Sequence, residues 1–495
     1  MDTLHALFEK VAAENAARTA LVFSGQEYSY SEVFARARKI CASLQNLEIG
    51  KGDRVALLLE NSPDFVAATY GIFLAGAVMV PLNTFLKAGE IRHILNDCEV
   101  RVMISSGAFF DVHQSLRMKV PSLQGIYLVE HEFSEVGQSL KSRPPVMTEG
   151  TDLAVILYTS GTTGHPKGAM LTHRNLLANV RAARQALAFE NTDRVVCALP
   201  LFHSFMLMVC VFVPLSHGAG TLILKSLTHS GKQIFGEIQK ARATVLPGIP
   251  PLFQAMVQGK FPFYFNWVCP LRVAISGAAP LPAEVRSAFR KKFRFPLIEG
   301  YGLSEASPLV SLNRPGAEGV DGSVGQAIAG VTVSIRNEEG GELPVGEVGE
   351  IWVSGENVMQ GYFNNPDATA DTLREGWLLT GDMGRVDAAG FLTIVDRKKD
   401  MVLVRGMNVY PREIEEVMLQ YPGIREAAVV GRDDQRRGEL PHAFYTVVEG
   451  REIDEKDLFR HLREHLADYK LPRSFKKMEM FPKTPTGKVI KRELV

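Results

Sequence analysis

Apolar positions recur along this chain with two spacings, and the switch between them falls at turn signals. Over roughly the first 330 residues, helix-spaced and strand-like segments alternate. "VAAENAARTALVF" (11–23) leads from a helix into a strand, and "RVALLLENSPDFVAATYGIFLAGAVMVPLN" (54–83) reads strand, helix, short strand. Such alternation predicts an α/β fold of mostly parallel sheets covered by helices. The pattern turns to period two in "VTVSIRNEEGGELPVGEVGEIWVSG" (331–355), around a Glu-Gly-Gly turn, which predicts a small antiparallel β unit. After about residue 400, "IREAAVVG" (424–431) and "AFYTVVE" (443–449) read as strands. "DEKDLFRHLREHLADYK" (454–470) reads as an amphipathic helix capped by Asp454, with Leu458, Phe459, Leu462 and Leu466 apolar. No internal repeat, low-complexity linker or Pro/Gly-rich spacer interrupts the chain.

Length and charge then narrow the function classes. At 495 residues the chain is long enough for two to four domains. Its 55 basic residues balance 55 acidic ones, so the net charge carries no footprint for nucleic acid or an anionic membrane. Cys41, Cys98, Cys197, Cys210 and Cys269 are scattered without metal-ligand or redox spacing, the pattern of reduced thiols in a cytoplasmic protein. The N-terminal segment has acids among its apolar positions, unlike a signal peptide. From Val195 to Leu224 there is no Asp, Glu, Lys or Arg, but Pro200, His203, Pro214, His217, Gly218 and Gly220 interrupt the run. The stretch predicts a buried helix and strand rather than an integral membrane segment.

"YTSGTTGHPKGAM" (158–170) gathers glycines, hydroxyl side chains and Lys167 in one loop. The apolar "AVILY" (154–158) predicts a buried strand leading in. Beyond it, Thr172 can cap a helix with Leu176, Leu177, Val180 and Leu187 on one face. Clustered backbone N–H groups, hydroxyls and a lysine suit phosphate oxygens. Spacing excludes the P-loop, because Gly161 and Gly164 are three apart and His165-Pro166 precedes Lys167. "GAGTLI" (218–223) lacks the third glycine of a dinucleotide fingerprint.

The loop resembles the signature of the acyl-adenylate-forming superfamily of AMP-binding enzymes: acyl-CoA synthetases, peptide-synthetase adenylation domains and beetle luciferases. "SGAAPL" (276–281), "EGYGLSEASP" (299–308), "WLLTGDMGRVDAAGFLTIVDRKKDMVLVRGMNVYPREIEEV" (377–417) and "PKTPTGKVIKREL" (482–494) follow in the family's order and span nearly the whole chain. The resemblance is closest to bacterial fatty acyl-CoA synthetases. It implies a large N-terminal domain, residues 1–398 with the small β unit at about 331–398. A small mobile α+β domain, residues 399–495, would carry the catalytic lysine. The implied reaction joins a carboxylic acid to ATP as acyl-AMP, then passes the acyl group to the thiol of coenzyme A. Since an anion must approach a polyanion, cationic neutralisation and positioning would dominate catalysis.

Carried over residue by residue, the resemblance gives ATP to the loop residues Thr159, Ser160, Gly161, Thr162, Thr163, Gly164 and Lys167. Gly277, Ala278, Glu299, Gly300, Tyr301 and Gly302 would also bind ATP, Tyr301 offering adenine a flat face while Gly277, Ala278 and Gly300 let backbone approach the base. Ser304, where many relatives have Thr, keeps a hydroxyl for the α-phosphate. Asp382 and Arg397 match the ribose partners, and Glu305 with Thr159 matches the Mg2+ site, a hard carboxylate leaving room for phosphate oxygens. Lys488 would bridge carboxylate and α-phosphate, Lys399 would be the hinge, and Gly406 and Met407 would line the CoA tunnel. His203, Gly277, Gly302 and Gly325 would line the acyl pocket. In isolation Lys488 and Lys399 read as solvated lysines, Asp382 as a turn residue, Arg397 as a surface arginine and His203 as a core histidine.

The segments assigned to that pocket hold no Arg or Lys to pair a second carboxylate, so a monocarboxylic medium- to long-chain fatty acid is expected, with an aryl acid as alternative. An acyl-AMP ligase loading a carrier protein is a further alternative, although no restraining insertion is seen. A nucleotide-binding sensor would leave Lys488 without a task. "GYGLSEA" (300–306) also lies one residue from the α/β-hydrolase elbow, with Ser304 as nucleophile and His442, His461 and His465 downstream, but Pro308 falls where a helix must run on. "FRKKFRF" (289–295) reads as the solvated end of a helix. Peripheral membrane contact and a monomeric or homodimeric state stay open.

Overall fold

The computed structural model describes residues 2–116, 119–130, 144–159, 166–224, 231–316, 320, 322–404, 407–434, 438–483 and 489–494. Two large sheets carry the N-terminal part. Six strands of a nine-stranded sheet run parallel, in the order Leu297–Gly302, Val273–Ser276, Val245–Gly248, Arg194–Cys197, Gly220–Ile223 and Thr19–Phe23. Antiparallel strands close its edges, Gln26–Ser29 at one, Leu309–Leu312 and Gln326–Ala327 at the other. Five strands of a seven-stranded sheet run parallel: Leu153–Thr159, Val78–Pro81, Arg54–Leu58, Val102–Ser105 and Gly125–Leu128. Lys167–Thr172 and then Gly361–Tyr362 add antiparallel at its edge. The expected α/β architecture is present.

Period-two alternation decides which core each strand side serves. Val55 and Leu57 join the largest core with Leu21, Val195 and Val245 of the other sheet, whereas Ala56 and Leu58 face a separate cluster with Ile91, Ile94 and Met103. Helix Pro63–Leu74 is buried on all sides from Phe65 onward, as that largely apolar run requires, while Asp64 in its first turn pairs with Arg36. Gly71 makes room there, because a Cβ would lie 2.8 Å from the Cβ of Ile40 on the neighbouring helix Tyr30–Asn46. The charge-free stretch 195–224 forms an interior strand, helical turns between Ser204 and Leu215, and a second interior strand. Among the described residues no helix is long and apolar enough to cross a membrane.

The period-two segment pairs as expected, Val331–Arg336 against Gly349–Gly355, and Trp377–Val386 and Leu392–Arg397 extend the sheet antiparallel. The chain then passes through the turn Lys398–Asp400 into a second five-stranded sheet. That sheet includes the expected strands as Ile424–Asp434 and Gly438–Val447. Asp454 caps helix Glu455–His465 by accepting from Lys456 N. The helix stops at His465, shorter than its sequence pattern, because Leu466 is extended and buries its side chain beyond the end. Leu458 and Leu462 fill the core while Phe459 stays partly exposed against Phe475.

One expectation is corrected. Arg290 and Lys291 end helix Ala283–Lys292 exposed, but Lys292 is not solvated. Its ammonium donates to the carbonyls of Met256, Val257 and Gly259, closing the last turn of helix Pro250–Gln258.

Candidate active site

Thr159 ends one strand and Lys167 begins the next, and the two are register partners in an antiparallel pair. The loop therefore leaves and re-enters at one point; Ser160, Gly161, Thr162, Thr163 and Gly164 lie outside the described residues. Glu305 reaches that point from the other large sheet, on the turn Ser304–Ala306 just beyond Leu297–Gly302. Thr159 Oγ1 lies 3.4 Å from Glu305 Oε1, and the Tyr362 hydroxyl donates to the same oxygen at 2.9 Å. Lys167 Nζ stands 5.3 Å from the centre of the Tyr362 ring. Burial first, then the Glu305 charge, pushes the Tyr362 phenol up, so it stays a donor. The Asn179 and Asn357 amides hold this turn by donating to Ala306 O at 3.4 and 2.9 Å.

This cluster fits a divalent cation shared with phosphate. Thr159 and Tyr362 both engage Glu305 Oε1, so Oε2 with the Thr159 hydroxyl beside it could hold Mg2+, a hard cation that takes oxygen ligands. Among the described residues no group of three or more His, Cys, Asp or Glu could cage a metal. Most ligands would then come from phosphate and water, as Mg2+ prefers.

A second cluster forms on the antiparallel sheet. Asp382 and Arg397 are cross-strand partners, with Arg397 Nε 3.2 Å from Asp382 Oδ1. Tyr301 donates its hydroxyl to Asp382 Oδ2 at 2.7 Å. Burial, reinforced by the Asp382 charge, pushes the Tyr301 phenol far above its ordinary value. Asp382 thus presents a fixed carboxylate whose remaining lone pairs can accept from hydroxyls.

The glycines of this region are explained by packing. A Cβ at Gly302 would lie 2.1 Å from Pro308 O, one at Gly300 2.8 Å from Leu312 Cδ1, and one at Gly325 1.9 Å from the carbonyl carbon of Leu312. Gly277 follows strand Val273–Ser276, and a Cβ there would meet the Phe205 ring at 3.3 Å. Ala278 next to it takes a left-handed φ of 65°. His203 Nδ1 accepts from Phe205 N at 3.3 Å, and burial lowers its pKa, which keeps the ring neutral. Glu299 turns inward: its carboxylate meets Arg286 at 2.8 Å and accepts from Leu281 N, while burial raises its pKa against the pull of Arg286.

Ser304 Oγ pairs with Ser204 Oγ at 3.1 Å, and among the described residues no histidine contacts it. His442 bonds Ser474, while His461 and His465 bond the carbonyls of Val417 and His461. Among the described residues no base pairs with Ser304, so the geometry gives the hydrolase alternative no support. Lys399 sits inside the turn Lys398–Asp400, and Met407 opens the strand Met407–Val409. Gly406 and Lys488 lie outside the described residues. A polar cleft of about 320 Å³, lined by Arg18, Asp193 and Arg194, opens at the N-terminal ends of parallel strands. Ligands of open α/β sheets bind at the carboxyl ends, where Thr159, Tyr301 and the Glu305 turn emerge.

Tyr362, Asn179, Asn357 and Ser204 had no motif to mark them. Their partners are 51 to 127 residues away in sequence, and only the fold brings them together.

The sequence matches the AMP-binding enzyme family over residues 8–363 and the AMP-binding enzyme C-terminal domain over residues 413–488. It is 33 % identical over 531 residues to a long-chain-fatty-acid–CoA ligase of Bacillus subtilis, covering 100 % of this chain and 94 % of the relative. It is 35 % identical over 483 residues to a feruloyl-CoA synthase of Amycolatopsis, covering 96 % and 95 %. The structure of ATP-bound MatB from Rhodopseudomonas palustris superposes with a TM-score of 0.92 at 31 % identity, over 99 % of this chain and 98 % of that one.

Proposed function

The chain belongs to the AMP-binding enzyme family as an acyl-adenylate-forming CoA ligase, and from that premise we propose that its acid is a medium- to long-chain monocarboxylic fatty acid. The observation that carries the reading is the chemistry beside Gly277. Phe205 packs where the missing side chain would be, its sequence neighbours Phe202, Met206, Leu207 and Met208 are buried, and His203 is held neutral. In 201–208, 248–256 and 276–281 there is no Arg or Lys and no Asp or Glu, so neither a second carboxylate nor an ammonium group on the substrate would find a partner there. An aryl acid is the second reading, favoured by the aromatic Phe205 wall and by the likeness to a feruloyl-CoA synthase.

In this proposal Glu305 and Thr159 would hold Mg2+, with Tyr362 orienting the carboxylate. The metal supplies positive charge where the phosphates must be neutralised. Lys167 and the loop bind phosphate, Tyr301 takes adenine on its face, and Asp382 with Arg397 holds the ribose. Lys488 neutralises charge built up at the α-phosphate, and the segment at Met407 admits CoA.

A carboxylate panel assayed for CoA-dependent AMP release tests the substrate. Fatty acids should give the highest kcat/KM, and aryl acids outrunning them would select the second reading. Preference for a diacid or amino acid would overturn both.

A further inference from the structure

The segment after helix Pro250–Gln258 spends only half its apolar residues on the fold. Phe265 is buried against Phe235 and Phe261, with ring centres 4.4 Å apart in each pair, and Phe293 backs them. The other face points outward. Phe263 is 87 % exposed, Trp267 64 %, Tyr264 48 % and Val268 41 %. These rings form one cluster, with Phe263 5.4 Å from Tyr264 and 6.4 Å from Trp267. Exposed apolar side chains scattered singly need no explanation, but four within six residues do.

Basic side chains surround the cluster. The Arg294 guanidinium lies 4.9 Å over the Trp267 ring, and Lys260 is exposed just before the segment. Asn266 donates to Lys292 O at 2.9 Å and accepts from Arg294 N, which puts the exposed end of helix Ala283–Lys292, with Arg290 and Lys291, on the same side. No Asp or Glu occurs between Glu237 and Glu284. The balanced charge of the whole chain conceals this local excess.

We propose that this face docks on the surface of an anionic phospholipid bilayer, Phe263, Tyr264 and Trp267 entering the headgroup region while Lys260, Lys291 and Arg294 meet lipid phosphates. Aromatic rings with a polar edge favour that depth, and flanking bases gain from the negative surface potential. A second copy is the poorer occupant, because an isologous contact through this patch would press like charges together. The surface stands whether the acid is aliphatic or aromatic. A bilayer-dissolved acid would nonetheless find it useful, since helix Pro250–Gln258 links the patch to the strand end beside Gly277.

Co-sedimentation of the full chain with vesicles tests the proposal, using phosphatidylcholine alone or with about 30 % phosphatidylglycerol. The protein should bind the anionic vesicles at least about ten-fold more tightly than the neutral ones and come off in about 0.5 M NaCl. Phe263→Ser with Trp267→Ser, and separately Lys260→Glu with Lys291→Glu, should each weaken binding about ten-fold or more. Both should leave AMP formation from a short water-soluble acid within about two-fold, the control for folding. The charge-reversal pair keeps the test decisive if the aromatic pair fails that control. The proposal is overturned by absent binding, by equal binding to both vesicles, or by variants that bind as the parent does. It is equally overturned if the substitutions dissociate a dimer and leave vesicle binding unchanged.

Discussion

The Tyr362 hydroxyl and Thr159 Oγ1 converge on one oxygen of Glu305, so that carboxylate is aimed before any ligand arrives. Tyr362→Phe would keep the ring beside Lys167 and delete only this donor. A hydrogen bond to a charged group is worth about 1.5–3 kcal/mol, so a loss of acyl-AMP formation of roughly ten- to hundred-fold at limiting Mg2+ is expected, partly recovered at high Mg2+. Carboxylate-dependent ATP–pyrophosphate exchange against free Mg2+ measures it, and an unchanged Mg2+ curve would mean that Tyr362 does not position Glu305. Lys488 should behave differently. If it neutralises only charge at the α-phosphate, Lys488→Ala cripples acyl-AMP synthesis, yet the variant given preformed acyl-AMP and CoA keeps most of its thioester activity. Equal loss in both assays would assign Lys488 to the fold or the thiol step. The two residues also differ in legibility. Lys488 stands in "TPTGK", where a motif marks it, whereas "GYFNNP" (361–366) gives Tyr362 no spacing that points to Glu305.

Elements with a strong repeat were readable one by one, and their neighbours were not. Thr172 caps helix His173–Ala186 as its sequence suggests, and "AVILY" is an interior strand. That Gly361–Tyr362 would join the sheet beside Lys167–Thr172 depends on pairing across nearly two hundred residues, which periodicity does not carry. The same limit hid a contact between two helix starts. His5, in the first turn of Leu4–Glu14, packs edge-on against His173, the first residue of His173–Ala186, at 5.4 Å between ring centres. Burial pushes their pKa values down to about 4 and about 3, and the positive ends of both helices act the same way. The unfolded chain protonates both rings below about pH 6.5 and the folded chain does not, so stability is full above that pH and falls as acid is added. The slope approaches about 1.4 kcal/mol per pH unit for each ring, opposed by Glu299 and Glu415, whose raised values act in the other direction. His5→Asn should therefore flatten the decline of the thermal midpoint between about pH 6.5 and pH 5 without abolishing it. An identical pH profile in parent and variant would show that His5 is not held neutral by the fold.

At the scale of the molecule, the proposed chemistry asks two things of the C-terminal part that cannot be met together. Lys488 must reach the α-phosphate during adenylation, and the segment at Met407 must later line the approach of CoA. We place the pivot at Lys399. On its N-terminal side Lys398 pairs with Glu350 at 3.0 Å and Arg397 with Asp382. On its C-terminal side Arg412 donates its backbone N–H to Asp396 Oδ2 at 2.8 Å and its guanidinium to Ile394 O at 3.0 Å. A rotation at Lys399 would break the Arg412 contacts and leave the pairs of Lys398 and Arg397 intact, so the break has a defined place. The hinge need not be glycine, because what it supplies is a change of φ and ψ. Lys399→Pro fixes φ, and one half-reaction should survive it: acyl-AMP formation within several-fold of the parent, thioester formation lower by orders of magnitude. Lys399→Ala leaves φ free and should be far milder in both. Separate assays of pyrophosphate release from ATP and of thioester formation from preformed acyl-AMP make the comparison. If the proline variant lost both halves together, or neither, the pivot would lie elsewhere and the boundary between residues 398 and 399 would have to move.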